Sequence, residues 1–308
     1  MDVNSGAVHV VDDVVYDVIA SMVENHMEQD TCDAAYDKLA ASNMPYDQAQ
    51  IKEALEEIYE LKDAQMLFTD DIYEKSIEAF KNRETVVKAL CLHIAHDCNL
   101  ACKYCFAEEG EYHGRRALMS FEVGKKALDF LVANSGNRVN LEVDFFGGEP
   151  LMNWQVVKDL VAYGRSLEEP HHKKFRFTLT TNGVLLNDEI LEFANKEMGN
   201  IVLSIDGRKD IHDMMRPFRG GQGSYDMIVP KFQKVAESRN QTNYYVRGTF
   251  TRHNLDFAED VCHLADLGFK QISVEPVVAP PTENMLYRKK IFHSSLQNMT
   301  SLQLKCSD

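Results

Sequence analysis

The sequence predicts an α/β protein built on a parallel sheet and preceded by a small, acidic, helical module. Three observations carry this. From residue 89 onward, six strand-like apolar runs alternate with five amphipathic stretches, the pattern of parallel strands joined by crossover helices. Residues 1–85 hold 20 Asp/Glu against 6 Lys/Arg, whereas the remaining residues are nearly balanced, so the net charge of −15 sits almost wholly in the first segment. Cysteines, glycines and short polar residues collect just after successive strands, the end where such sheets bind ligands.

The elements follow in order. Residues 7–12 alternate as a short strand after the turn Asn4–Gly6. Val14, Val15, Val18, Ile19, Met22 and Val23 fall at helical spacing, with Asp12 or Asp13 as cap. A second helix is predicted over 30–41. A third, over 48–64, is capped by Asp47 and carries Ile51, Leu55, Ile58 and Leu61 on one face. Residues 65–69 read as an extended return, and the polar stretch 70–85 as a linker helix. A strand, three short helices and a return make 1–85 winged-helix-like.

Strands are then predicted over 89–95, 139–146, 175–181, 201–205, 244–251 and 271–276. Helices are predicted over 120–134, 154–166, 188–196, 225–238 and 255–267. Six strands with five helices make an open doubly wound sheet or a partial barrel. The alternation ends at Pro280-Pro281.

Composition narrows the function. At 308 residues the chain has room for two domains. Its acidity excludes a general nucleic-acid or anionic-membrane binder, and no apolar run is long enough to span a bilayer. The first residues lack the basic and apolar regions of a signal peptide. The cysteines number seven, and three of them lie within eight residues. Together these predict a cytoplasmic, reduced-thiol protein whose cysteine cluster needs a metal or redox explanation.

That cluster is Cys98, Cys102 and Cys105, spaced C-x3-C-x2-C on the loop after the first strand of the alternation. Three thiolates suit a soft metal site. Iron–sulfur clusters usually take four cysteines, so three leave one iron open to an outside ligand. A structural zinc site completed by His93 or His96 is the alternative, although zinc motifs usually pair C-x2-C units. The second strand ends in Gly147-Gly148-Glu149-Pro150, where glycines admit close backbone approach and Glu149 can accept from an ammonium. Thr181-Asn182-Gly183 and Ser204-Ile205-Asp206-Gly207 occupy the next two strand ends. Cys91 and Cys262 read as core thiols.

CNLACKYCF, followed in order by FFGGEP, TTNG, SIDG with HDMMRPF, and ISVEP, resembles the radical S-adenosylmethionine (radical SAM) enzymes over roughly residues 88–280. The resemblance implies a partial (β/α)6 TIM-like barrel. It implies a 4Fe–4S cluster on Cys98, Cys102 and Cys105, and SAM bound at the open iron through its amino and carboxylate groups. One electron from a low-potential donor then yields a 5′-deoxyadenosyl radical that abstracts hydrogen from substrate. Carried over position by position, Gly147, Gly148 and Glu149 face the methionine ammonium, and Ser204 lies near the ribose and carboxylate. Asn182 and Asp206 are neighbours, and Tyr104 and Phe106 stand beside the cluster and adenine. Arg216 meets a carboxylate or, on the bland reading, a surface ion pair. Glu275 lies near the adenine.

The segment Asp2–Asp13, the acidic module and HIAHDCNLACKYCFAEEGEY resemble the SCIFF maturases, which install thioether cross-links in cysteine-rich ribosomal precursor peptides. Residues 1–85 are then the peptide-recognition module, gripping the leader as an added strand. Residues 86–280 are the radical SAM core, and 281–308 the start of a C-terminal region. Anaerobic sulfatase-maturating enzymes are the neighbouring branch, and they lack the N-terminal module. In that family a cysteine-rich SPASM region follows the core, whereas Thr282–Asp308 contains only Cys306. On this reading the first strand and the cysteine-rich end are truncated. The expectation is then SAM cleavage without efficient cross-linking, or a non-catalytic peptide binder.

Overall fold

The computed structural model describes residues 1–42, 44–77, 81, 85–108, 110–112 and 114–278. Pro280-Pro281, Cys306 and the whole region 281–308 lie outside the described residues. The chain divides into two compact units, Met1–Thr85 and Val86–Asp308.

The first unit packs α1 (Asp13–Glu24), α2 (Cys32–Ala40) and α3 (Gln48–Asp63) around Val18, Met22, Leu39, Leu55 and Ile58. Each helix starts where a side chain satisfies a free amide: Asp12 accepts from Val15 N, Thr31 from Ala34 N, and Asp47 forms a capping box with Gln50. The described residues of this unit contain no strand, which corrects the predicted strand over 7–12 and the return over 65–69. The two segments do lie side by side, but side chains join them instead of a backbone ladder. Asp2 accepts from Thr69 N and Oγ1, and His9 Nε2 meets the Met66 carbonyl at 2.9 Å. The alternating valines Val8 and Val10 therefore stay exposed. Of the predicted linker helix, Glu74–Ser76 form one 3-10 turn and Ile77 and Lys81 are helical, while 78–80 and 82–84 lie outside the described residues.

The second unit is one seven-stranded sheet in the order β2-β1-β3-β4-β5-β6-β7, parallel throughout except for β2. Its strands are β1 (Ala89–His96), β2 (Ala117–Leu118), β3 (Asn140–Gly147), β4 (Lys174–Thr181), β5 (Met198–Ser204), β6 (Tyr244–Phe250) and β7 (Ile272–Pro276). The helices are α4 (Phe121–Asn134), α5 (Trp154–His171), α6 (Asp188–Glu197), α7 (Lys209–Met215), α8 (Tyr225–Ser238) and α9 (Phe257–Asp266). The six predicted strands and five predicted helices are present with shifted ends; β2 and α7 are additions. No pairing joins β2 to β7, so the sheet stays open, as a partial barrel must.

Leu92 and Ile94 of β1, Leu141, Val143 and Phe145 of β3, and Phe175, Phe177 and Leu179 of β4 alternate onto the helix-covered face. There Phe145, Phe177 and Phe175 stack in a row with ring centres 5.5 and 5.7 Å apart. The other face is polar. Cys91 of β1 is exposed there, not a core thiol, and Cys262 of α9 is only half-buried. On the same face, Asp144 of β3 accepts from Thr180 of β4 at 3.1 Å, and burial pushes its carboxyl up to about 6. All parallel strands end on the same side, so their loops converge there.

Candidate functional site

The cysteine loop leaves β1 at Asp97 and is held to the end of β3 by backbone hydrogen bonds. Gly148 N donates to Ala95 O at 2.7 Å, and Glu149 N to Asp97 O at 2.9 Å. A Cβ on Gly148 would stand 2.1 Å from Asp97 O, and one on Gly147 (φ +124°) 2.5 Å from Ala95 O. The glycine pair is thus required by the meeting of two chains. Both glycines also line a cavity of about 560 Å³ at the strand ends.

Cys98, Cys102 and Cys105 line that cavity and are half-buried free thiols. Burial raises the Cys98 thiol to about 12, with Glu149 nearby adding to the effect, and the Cys102 thiol to about 11. Such thiols stay protonated until a metal displaces the proton. Among the described residues, no three His, Cys, Asp or Glu side chains gather tightly enough to hold one metal ion. A cubane engages each thiolate through a different iron, and three cysteines spread along one loop at a cavity wall fit that group.

The segment after β5 closes over the loop from the other side. Ala101 N donates to Pro217 O, Lys103 N to Met215 O, and Arg219 to Cys98 O and Asp97. Between these contacts lies a buried polar group. Arg216 Nη1 donates to the Tyr104 hydroxyl at 2.5 Å, and that hydroxyl donates to Asp206 at 2.7–2.8 Å. Asp206 also accepts from Thr249 N. Arg216 is 9% exposed, which overturns the reading as a surface ion pair. It lines the cavity, and its Nε is buried without a partner.

Of the other residues singled out by sequence, Asn182, Ser204, Phe106 and Glu275 line the cavity. Asn182 Nδ2 contacts Cys98 Sγ at 3.6 Å and Asn99 Oδ1 at 2.7 Å. Two expectations change. Glu149 is fully buried and does not line the cavity; its carboxylate accepts from Leu151 N, Thr181 Oγ1 and Asn182 N. Burial nonetheless lifts it to about 7. Asp206 is likewise buried behind Tyr104 and absent from the cavity wall. Both carboxylates shape the site from behind. Sequence reasoning gave no role to His212 and Ser224, which are wholly buried beneath Arg216.

The comparisons with known proteins agree with this geometry. The family model "Radical SAM superfamily" matches residues 92–265, more than half of the chain. An uncharacterized protein of Methanocaldococcus jannaschii is 30% identical over 190 residues, covering 61% of this chain and 62% of that protein. The radical SAM cyclopropyl synthase TigE of Paramaledivibacter caminithermalis is 25% identical over 191 residues, covering 56% and 39%. The structure of native anSMEcpe with bound AdoMet and a peptide aligns with TM-score 0.61 at 19% identity, over 70% of this chain and 60% of that one. At that identity the likeness shows the fold. The chain therefore spans less than two thirds of the length of these relatives. A sheet with this topology, the three-cysteine loop at its strand ends and the family match place the chain in the radical SAM superfamily, whose members use a 4Fe–4S cluster and SAM.

Proposed function

We propose that this chain binds a 4Fe–4S cluster through Cys98, Cys102 and Cys105 and binds SAM in the adjoining cavity, as part of an enzyme that modifies a peptide. When bound and reduced by a low-potential donor, the cluster would supply the one electron that splits SAM into methionine and a 5′-deoxyadenosyl radical. The protein's residues bind and shield. Arg216, a nearly buried cation that lines the cavity, pairs with the SAM carboxylate. Gly147 and Gly148 leave room for its methionine end, and Ser204 and Asn182 offer hydrogen bonds across the cavity. Tyr104 holds the guanidinium in place.

The substrate proposed is a cysteine-rich ribosomal precursor peptide, and the product carries thioether cross-links. Residues 1–85 grip its leader. The SCIFF-like sequence of that unit, the cyclopropyl synthase relative and the peptide-bound neighbour support this choice. One observation carries the reading: three free cysteines and a buried arginine line one cavity at the strand ends. Anaerobic reconstitution with iron and sulfide should give about four irons per chain, the complement of a 4Fe–4S cluster. Dithionite and SAM should then give 5′-deoxyadenosine, a labelled cysteine-rich precursor peptide should bind the chain, and the loss of two hydrogens per thioether by mass spectrometry should be weak or absent. A colourless protein would refute the cluster; failure of cysteine-rich precursor peptides to bind the chain would refute the substrate.

A further inference from the structure

Beneath Arg216 a hydrogen-bonded chain crosses the base of the site. Asp206 N donates to His212 Nδ1 at 3.3 Å, His212 Nε2 meets Ser224 Oγ at 2.9 Å, and Ser224 Oγ donates to the Arg216 carbonyl at 2.7 Å. Each bond sets the direction of the next. Nδ1 is an acceptor, so the proton sits on Nε2, and the serine receives it while passing its own to the carbonyl. Both residues are 0% exposed, and burial followed by the nearby Arg216 charge drives the imidazole down to about 3, so it stays neutral. The chain ties together the backbones of the two residues whose side chains flank the Tyr104 hydroxyl. Nothing else in the site's chemistry calls on it.

We infer that His212 and Ser224 are positioning residues for SAM binding: they fix the backbone of Arg216, and so hold its guanidinium at the cavity wall toward the cofactor carboxylate. A buried neutral relay suits this task. It holds the backbone in one geometry and adds no charge beside a cation whose Nη1 already meets Tyr104 and, at 3.6 Å, Asp206. The inference rests on Arg216 meeting SAM as proposed above.

A double-mutant cycle on the reconstituted full chain tests it, with SAM affinity by equilibrium dialysis and the EPR change of the reduced cluster on adding SAM as readouts. Arg216→Ala should weaken SAM binding about tenfold, as loss of a hydrogen bond to a charged group does. Ser224→Ala should weaken it severalfold and diminish the EPR change, with iron content retained. In the Arg216→Ala background, Ser224→Ala should add nothing, because there is no guanidinium left to aim. Ser224→Thr, which restores the hydroxyl, should recover affinity. Should Ser224→Ala fail to take up iron, His212→Asn runs the same cycle, since it keeps an acceptor toward Asp206 and loses the donor toward Ser224. Equal losses in both backgrounds, or undiminished affinity in the single variant, would overturn the inference alone. Undiminished affinity in Arg216→Ala would overturn the role of Arg216 and the inference with it.

Discussion

At the scale of single residues, the site separates groups that face the cavity from groups that hold those in place. Cys98, Cys102 and Cys105 belong to the first kind. Replacing any one with Ala should remove the cluster, read as loss of iron and of charge-transfer absorbance, while the fold persists by circular dichroism. Retention of four irons in Cys102→Ala would contradict the assignment. His212 belongs to the second kind, and its depressed pKa has a sign. The unfolded imidazole titrates near 6.5 and the folded one at about 3, so the unfolded chain binds the extra proton between them. Its contribution is present above pH 6.5 and is lost as pH falls toward 3, at about 1.4 kcal/mol per pH unit. Glu149 runs the other way: lifted to about 7, it favours the fold below its unfolded value near 4.5 and loses that contribution as pH rises through 7. The comparison that isolates the histidine is denaturant stability of wild type against His212→Asn. Wild type should lose its advantage on acidification from pH 6.5 to 4. The cysteines were legible because spacing alone reveals them. The His212–Ser224 pair was not, because twelve residues separate partners that only the turn after α7 brings together.

At the scale of elements, what positions the site is backbone contact between the cysteine loop and the end of β3. A methyl at Gly148 has no space before Asp97 O, so Gly148→Ala should destabilise the second unit by about 3 kcal/mol or more. It should also displace the loop; thermal unfolding and iron uptake read both effects, and a variant with wild-type melting and iron content would refute the packing argument. Most elements were readable in sequence because each strand carries its own apolar alternation, as Leu92, Ile94, Phe145 and Phe177 show. The failures have physical causes. β2 is two residues long and exists only through its pairing with Ala95 and His96, and α7 is a seven-residue helix with a polar sequence. The predicted strand over 7–12 has the right alternation, but Asp2 and His9 side chains take the acceptors and donors of 66–69. The glycines and Glu149 were found as a motif, yet their orientation was not, since a sequence does not say which chain a glycine lets in.

At the scale of the molecule, each unit has its own core and its own electrostatics. The helical unit around Leu39, Leu55 and Ile58 carries nearly all of the net negative charge. Self-repulsion should make it the less stable unit at low ionic strength. Calorimetry of the apoprotein should resolve two transitions, with the lower one rising as salt is added and the upper one little changed. A single salt-insensitive transition would show that the units unfold together. Among the described residues, no helix is long and apolar enough to cross a membrane.

The seam between Asp97 and Gly148 also bears on how such proteins can be recombined. Two stretches fifty residues apart, 95–97 and 147–149, meet backbone against backbone, where no flexible side chain can give way to a mismatch. A chimera with a distant relative should therefore tolerate crossovers within α4, which touches neither stretch through backbone bonds, only when both stretches come from one parent. The two motifs are inherited as a single part.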